Sequence, residues 1–156
     1  MRNWKRKRCA LSLLLGAGLL AACGEPVPPE QRVRDFIAGT ELLVENREFT
    51  EVVGRIAGDY LDAHGNDKLK AAAYLRGFYL RYKSVHLLTR IDSIALPSPD
   101  RAAATVYVAI AKRPFDAATL PDADIFRIDL ALAEDGDSYE ILQSRWRRAS
   151  AAEALF

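Results

Sequence analysis

The segments VHLLTRID (85–92), ATVYVAIAK (104–112), IFRIDLALA (125–133) and SYEILQSRW (138–146) decide the fold of this chain. Apolar and polar residues alternate in them with period two, as in a strand with one buried face. Val85, Leu87, Thr89 and Ile91 oppose His86, Leu88, Arg90 and Asp92. Val106, Val108 and Ile110 oppose Thr105, Tyr107 and Ala109, and Phe126, Ile128, Leu130 and Leu132 oppose Ile125, Arg127, Asp129 and Ala131. In the last segment Leu142 and Trp146 are expected on one face, Tyr139 and Ile141 on the other. Pro97-Ser98-Pro99-Asp100 ends the first strand, a loop with two prolines spans 114–122, and Glu134-Asp135-Gly136-Asp137 is a hairpin turn. Links this short require antiparallel pairing.

Upstream the period lengthens. Residues 30–47 carry Val33, Phe36, Ile37, Leu43 and Val44 at helical spacing, with prolines just before the start. Residues 48–61 repeat the pattern with Phe49, Val52, Val53, Ile56 and Tyr60, but Gly54 and Gly58 predict a short or irregular helix. The turn 62–67 precedes a third helix over 68–82, for which Asn66 or Asp67 is the expected cap. Its apolar positions are Leu69, Ala72, Leu75, Phe78, Tyr79 and Tyr82. Three helices followed by four strands make an α+β plan, one sheet face burying against the helices. The expected core is Val33, Phe36, Ile37, Val52, Ile56, Leu75, Phe78, Val106, Val108, Ile128 and Trp146.

At 156 residues the chain is one domain, half hydrophobic and 28% charged, with a net charge of +1. Residues 1–22 hold five bases and no acid, which leaves 17 bases against 21 acids in 23–156. A mildly acidic body argues against nucleic acid as a partner. Two cysteines, one of them Cys9, exclude a disulfide framework. The basic start MRNWKRKR is followed by fourteen uncharged residues, 9–22. That run is shorter than the roughly 20 apolar residues of a spanning helix and reads as a secretory signal.

Leu20-Ala21-Ala22-Cys23 resembles the lipobox of bacterial lipoproteins. The resemblance implies cleavage before Cys23, a diacylglyceryl thioether on its sulfur and further acylation of its amino group. Several chains of this kind anchor a protein stably. The resemblance also implies a place in the bacterial envelope. Gly24 after the cysteine, in place of an Asp, implies outer-membrane sorting with the domain facing the periplasm. The expected organisation is a signal peptide at 1–22, a lipidated Cys23 with a Pro-rich tether through 29, a folded domain at 30–148 and a tail at 149–156.

The order of elements resembles the NTF2-like (SnoaL-like) superfamily over residues 30–148. The carriers are Val33-Arg34-Asp35-Phe36-Ile37, the Asp59-Tyr60-Leu61-Asp62 and His64-Gly65 segments, and the last strand ending in Arg145-Trp146. The resemblance implies a cone in which helices pack into the concave face of a curved sheet of about four strands, enclosing a pocket. That fold hosts enzymes, ligand binders and interaction modules, so it does not assign a function by itself.

Two functions follow as expectations. In the first the domain is non-catalytic and binds a small apolar ligand or an envelope protein, with Tyr79, Tyr107, Arg127 and Trp146 as candidate contacts. In the second it is an isomerase or dehydratase using a polar group in the cone. His86 is then the general base, paired with Asp59 or with Asp62, because an imidazole titrates near neutrality. The face carrying Val85, Leu87 and Ile91 is the more apolar, which turns His86 outward and favours the first reading. His64, Asp62 and Asp67 form a capping turn rather than a metal loop. No phosphate loop, nucleophile elbow, zinc signature or nucleotide fingerprint is present. No cofactor is expected, nor hydrolase or metalloenzyme chemistry.

Overall fold

The structure is a computed structural model that describes residues 26–116 and 123–154. The expected signal peptide and Cys23 lie outside the described residues, as do most of the loop over 114–122 and Leu155-Phe156. The described elements run α1 (Pro29–Glu45), α2 (Phe49–Gly54), α3 (Lys68–Arg81), β1 (His86–Ser98), β2 (Arg101–Ala111), β3 (Asp124–Asp135), β4 (Ser138–Arg148) and α4 (Ala151–Ala154). The strands form one antiparallel sheet in the order β1-β2-β3-β4. None of the described helices is long and apolar enough to cross a membrane.

Pro29 opens α1, where its missing N–H costs nothing. The helix lays Val33, Phe36 and Ile37 on the sheet, and these residues pack with Ala102, Ala104, Val106, Leu132 and Tyr139 as the main core. Arg55, just after α2, ties α1 down. Its guanidinium lies 5.0 Å from the Phe36 ring centroid and donates to the Phe36 carbonyl at 2.7 Å and to Thr40 Oγ1 at 3.0 Å. Gly39 makes room for it, since a Cβ there would lie 3.0 Å from an Arg55 nitrogen. Asp67 caps α3 by accepting from the Lys70 N–H at 2.9 Å. At the other end of α3, Arg47 donates to the carbonyls of Tyr79 (2.7 Å) and Tyr82. Arg47 itself sits in the left-handed region at φ 61°, where α1 has ended.

Three register shifts interrupt the sheet, one of them between Ala95 and Ser98 near the end of β1; the other two are bulges beside the cavity. Ile91 pairs with Val106 and Ser93 with Thr105, so Asp92 is an extra residue in β1. Ala131 pairs with Gln143 and Leu132 with Ile141, so Leu142 is extra in β4. Each bulge bends its strand and increases the local twist. The second also resets the alternation. Ile141 and Trp146 share the concave face, where the simple period had put them on opposite faces. The edge of β4 is covered by the chain after α2: Ala57, Leu61 and Ala63 donate to the carbonyls of Ile141, Leu142 and Ser144 at 3.0–3.1 Å.

Beyond residue 148 the chain turns back onto the convex face. Ala154 of α4 is buried there with Tyr107, Ala109 and Ile125. The expected core is buried at Val33, Phe36, Ile37, Val52 and Val106. Ile56, Leu75, Phe78, Val108 and Ile128 are only partly buried, and Trp146 is 51% exposed. Val108 and Ile128 are left half-open because they face a cavity between sheet and helices.

Candidate functional site: an apolar cone with one carboxyl

That cavity has a volume of about 280 Å³. Its helical wall is Phe36, Ile37, Thr40, Glu41 and Val44 of α1 with Phe78 of α3. Its sheet wall is Leu87 and Thr89 of β1, Val106, Val108 and Ile110 of β2, Ile128 and Leu130 of β3, and Ile141 of β4. Every sheet residue in this set belongs to the concave face, and the β4 bulge is what brings Ile141 into it.

Among the described residues Glu41 is the only ionisable side chain in this wall. It lies one turn beyond Ile37 and two beyond Val33, on the same buried stripe of α1. Burial pushes its carboxyl above the usual range, a hydrogen bond with Thr89 works in the opposite direction, and the charge of Glu45 adds to the rise. Glu45 is occupied elsewhere, accepting from the Leu87 N–H at 2.7 Å. A protonated carboxyl in an apolar wall can donate one hydrogen bond to a ligand, and its ionised form can accept a proton from one.

The sequence-expected residues are dispersed. Tyr79 is buried between α3 and α1, its hydroxyl donating to the Val44 carbonyl at 3.2 Å and Arg47 lying 4.8 Å from its ring centroid. Tyr107 is on the convex face beside α4, with Arg90 4.9 Å from its ring centroid. Arg127 is its cross-strand neighbour on that face and donates to Asp129 at 3.0 Å. Trp146 alone is on the concave side, edge-on to Phe126 at 5.9 Å. His86 pairs with Ala111 on the convex face. Asp59 lies in an exposed turn of the segment along β4, at the opposite sheet edge from β1. The structure therefore does not bring Asp59 and His86 together. Glu41 went unnoticed in the sequence, although an acid in register with Val33, Ile37 and Val44 is the signal that marks it.

A second cavity of about 330 Å³ adjoins the first and shares Phe78, Ile110 and Ile128 with it. Its remaining wall is Arg81, Tyr82, Asp124, Phe126, Trp146 and Arg148. The apolar cavity thus has an aromatic and charged mouth, between the end of α3 and the start of β3.

Comparison with solved structures now identifies the architecture. A scytalone dehydratase-like protein of Novosphingobium aromaticivorans superposes with a TM-score of 0.65 over 78% of this chain and 84% of its own, at 10% identity. An NTF2-like protein of unknown function from Pseudomonas putida gives 0.56 over 75% and 84%, at 15% identity. The fold is the NTF2-like cone. Bd1075 of Bdellovibrio bacteriovorus gives 0.61 at 11% identity, with 77% of this chain spanning 40% of that one. No family model and no curated protein matches the sequence. At these identities the likeness establishes the NTF2-like fold of this chain and nothing finer.

Proposed function

We propose that the protein is a lipid-anchored envelope protein whose NTF2-like cone binds a small, largely apolar ligand without chemically changing it. One observation carries the binding reading: a cavity of about 280 Å³ whose fourteen described lining residues include a single ionisable group. Ligand sites are concave, mostly apolar and supplied with few polar groups, and this cavity matches that description. The anchor rests on the lipobox resemblance at Leu20-Ala21-Ala22-Cys23 and on the Pro-rich run that follows it.

Filling the cavity tests the binding reading. Val108→Trp projects an indole into the space without touching the packed end of the core. It should abolish uptake of an apolar fluorescent probe such as N-phenylnaphthylamine and leave the melting temperature near that of the parent. Uptake equal to the parent's would reject the cone as the site. For the anchor, Cys23→Ser should release the protein from the membrane fraction and remove the acyl mass from its N-terminal peptide. A variant that stays membrane-bound with its acyl mass intact would reject Cys23.

Glu41 supports a second reading, an isomerase or dehydratase. The base would then be this carboxyl on α1, not His86 or Asp59. A carboxyl raised by burial is better matched to proton transfer near neutral pH than an ordinary one. Glu41→Gln separates the readings. Loss of turnover with retained binding favours the enzyme.

A further inference from the structure

We propose that the ligand of the cone is an amphiphile with one anionic headgroup, of the fatty-acid kind. Its chain lies in the apolar cavity and its head lies between Arg81 and Arg148 at the mouth. This rests on the binding reading above and specifies the class of ligand.

The two cavities form one path, because Phe78, Ile110 and Ile128 belong to both walls. Along that path the chemistry changes once. The inner part is aliphatic apart from Thr40, Glu41, Thr89 and the Phe36 and Phe78 rings. The outer part has two guanidinium groups and one carboxylate. The carboxylate is committed: Asp124 accepts from Arg148 at 2.8 Å, and that guanidinium lies 5.5 Å from the Phe126 ring centroid. Arg81 takes part in no ion pair among the described residues. The Lys112 ammonium, 5.6 Å from the ring centroid of Tyr82, adds a further positive charge beside the mouth. The mouth therefore has an excess of cations and aromatic surface, which suits a carboxylate or phosphate at the end of a chain. Trp146, 51% exposed at this level, is an amphipathic ring at a boundary between apolar and wet surroundings.

Size agrees with a chain. A cavity of roughly 150 Å³ accommodates benzene, and the inner cavity here is about 280 Å³ before the mouth is counted. The single inner acid among the described lining residues, Glu41, belongs to the inner wall and not to the mouth where the head is placed, and burial raises its carboxyl, which weakens its opposition to an anionic ligand.

The position of the tether indicates the source. Pro26–Pro29 border a surface hollow with Asp137 and Ser138, at the β3–β4 turn. The mouth lies at Asp124, the other end of β3. Eleven steps of strand at about 3.4 Å separate Asp124 from Asp135, on the order of 37 Å along the strand. A bilayer holding the tether would lie at the end opposite the mouth. The ligand thus enters as a free molecule from the aqueous side, not as a headgroup of the anchoring membrane.

The experiment compares three ligands with the same tail on the purified protein by calorimetry: dodecanoate, dodecanol and dodecylamine. Dodecanoate should bind at least tenfold more tightly than dodecanol, and dodecylamine more weakly than either. Arg81→Ala, at an exposed position outside any described ion pair, should lose several-fold of that preference, and Arg81→Ala with Arg148→Ala should erase it. In both variants dodecanol affinity should stay at the parent value, which shows that the fold and cone are intact. Equal affinity for all three heads would overturn the headgroup inference and leave the cone standing. Tightest binding of the amine would also overturn it and shift recognition to Glu41. Failure of every dodecyl ligand to bind would bring down the cone reading itself. A parallel arm offers phosphatidylglycerol vesicles. Arginine-dependent binding to vesicles with no uptake of free dodecanoate would reject the free source.

Discussion

Leu132 and Ile128 lie on the same strand, on the same face, four residues apart, and the cone makes their truncations differ. Leu132 is 0% exposed and packed among Val33, Phe36 and Tyr139. Ile128 is partly buried in the cavity wall. Leu132→Ala loses the transfer free energy of its methyl groups and leaves a hole in a packed region, which places it in the upper part of the usual range, about 3–5 kcal/mol. Ile128→Ala loses transfer energy from atoms that are only partly removed from water, and the space it opens joins a cavity that is already there. Its cost should be about 1–2 kcal/mol. At about 3–6 °C per kcal/mol for a domain of this size, the melting temperature should fall by roughly 9–30 °C in the first case and by roughly 3–12 °C in the second. Urea unfolding should report the same order through the midpoint, with the slope unchanged. Equal costs, or a larger cost at Ile128, would mean that the cone is a close-packed core, and the binding reading would lose its foundation.

Glu41 gives a pH signature. Its folded-state carboxyl is raised, chiefly by burial, so the folded chain binds more protons than the unfolded one between the two pKa values. The contribution of Glu41 to stability is therefore full below the ordinary carboxylate range and is lost as pH rises through the folded value. Urea midpoints of Glu41→Gln and parent from about pH 4 to 8 should show a shallower descent in the variant, and identical slopes would put the carboxyl in water. Arg55→Met keeps the hydrocarbon stem of this helix tie but deletes its bonds to the Phe36 carbonyl and Thr40 Oγ1. It should cost about 1–3 kcal/mol in the same assay, and a cost near zero would mean that water replaces the guanidinium.

The sequence resolved elements better than faces. Period-two alternation located all four strands, because one face of each is apolar enough to stand out. It failed at Leu142, where an extra residue moves Trp146 onto the side of Ile141. A bulge leaves the composition of a strand unchanged, so only the pairing partner reveals it, and that partner is distant in sequence. The helices were legible for the opposite reason: Pro29, Asp67 and the Gly54–Gly58 interruption are local signals with local consequences. The four residues of α4 are too few to show a period, and their role on the convex face comes from Tyr107 and Ile125 beneath them.

The candidate site was less legible because residue type is a poor guide to which side of a curved sheet a side chain takes. Tyr107 and Arg127 have the chemistry of a binding pocket, yet they lie on the convex face, where Arg127 is held by Asp129 and Tyr107 lies against Arg90 beside α4. Among the described residues the cone instead draws its only ionisable lining group from a helix. Glu41 interrupts the apolar stripe Val33, Ile37, Val44, and such an interruption leaves two outcomes: the helix turns the acid outward at the expense of its packing, or it keeps its packing and accepts a desolvated carboxyl. Val33 at 0% exposure shows that the packing prevailed here. An open cavity lowers the cost of that choice, since Thr89 and the space beside it give the carboxyl a partner and room. The same opening that leaves Ile128 and Val108 half-buried is thus what makes Glu41 tolerable, so the cavity and the one ionisable group among its described lining residues go together, against a sheet bulged at Asp92 and Leu142.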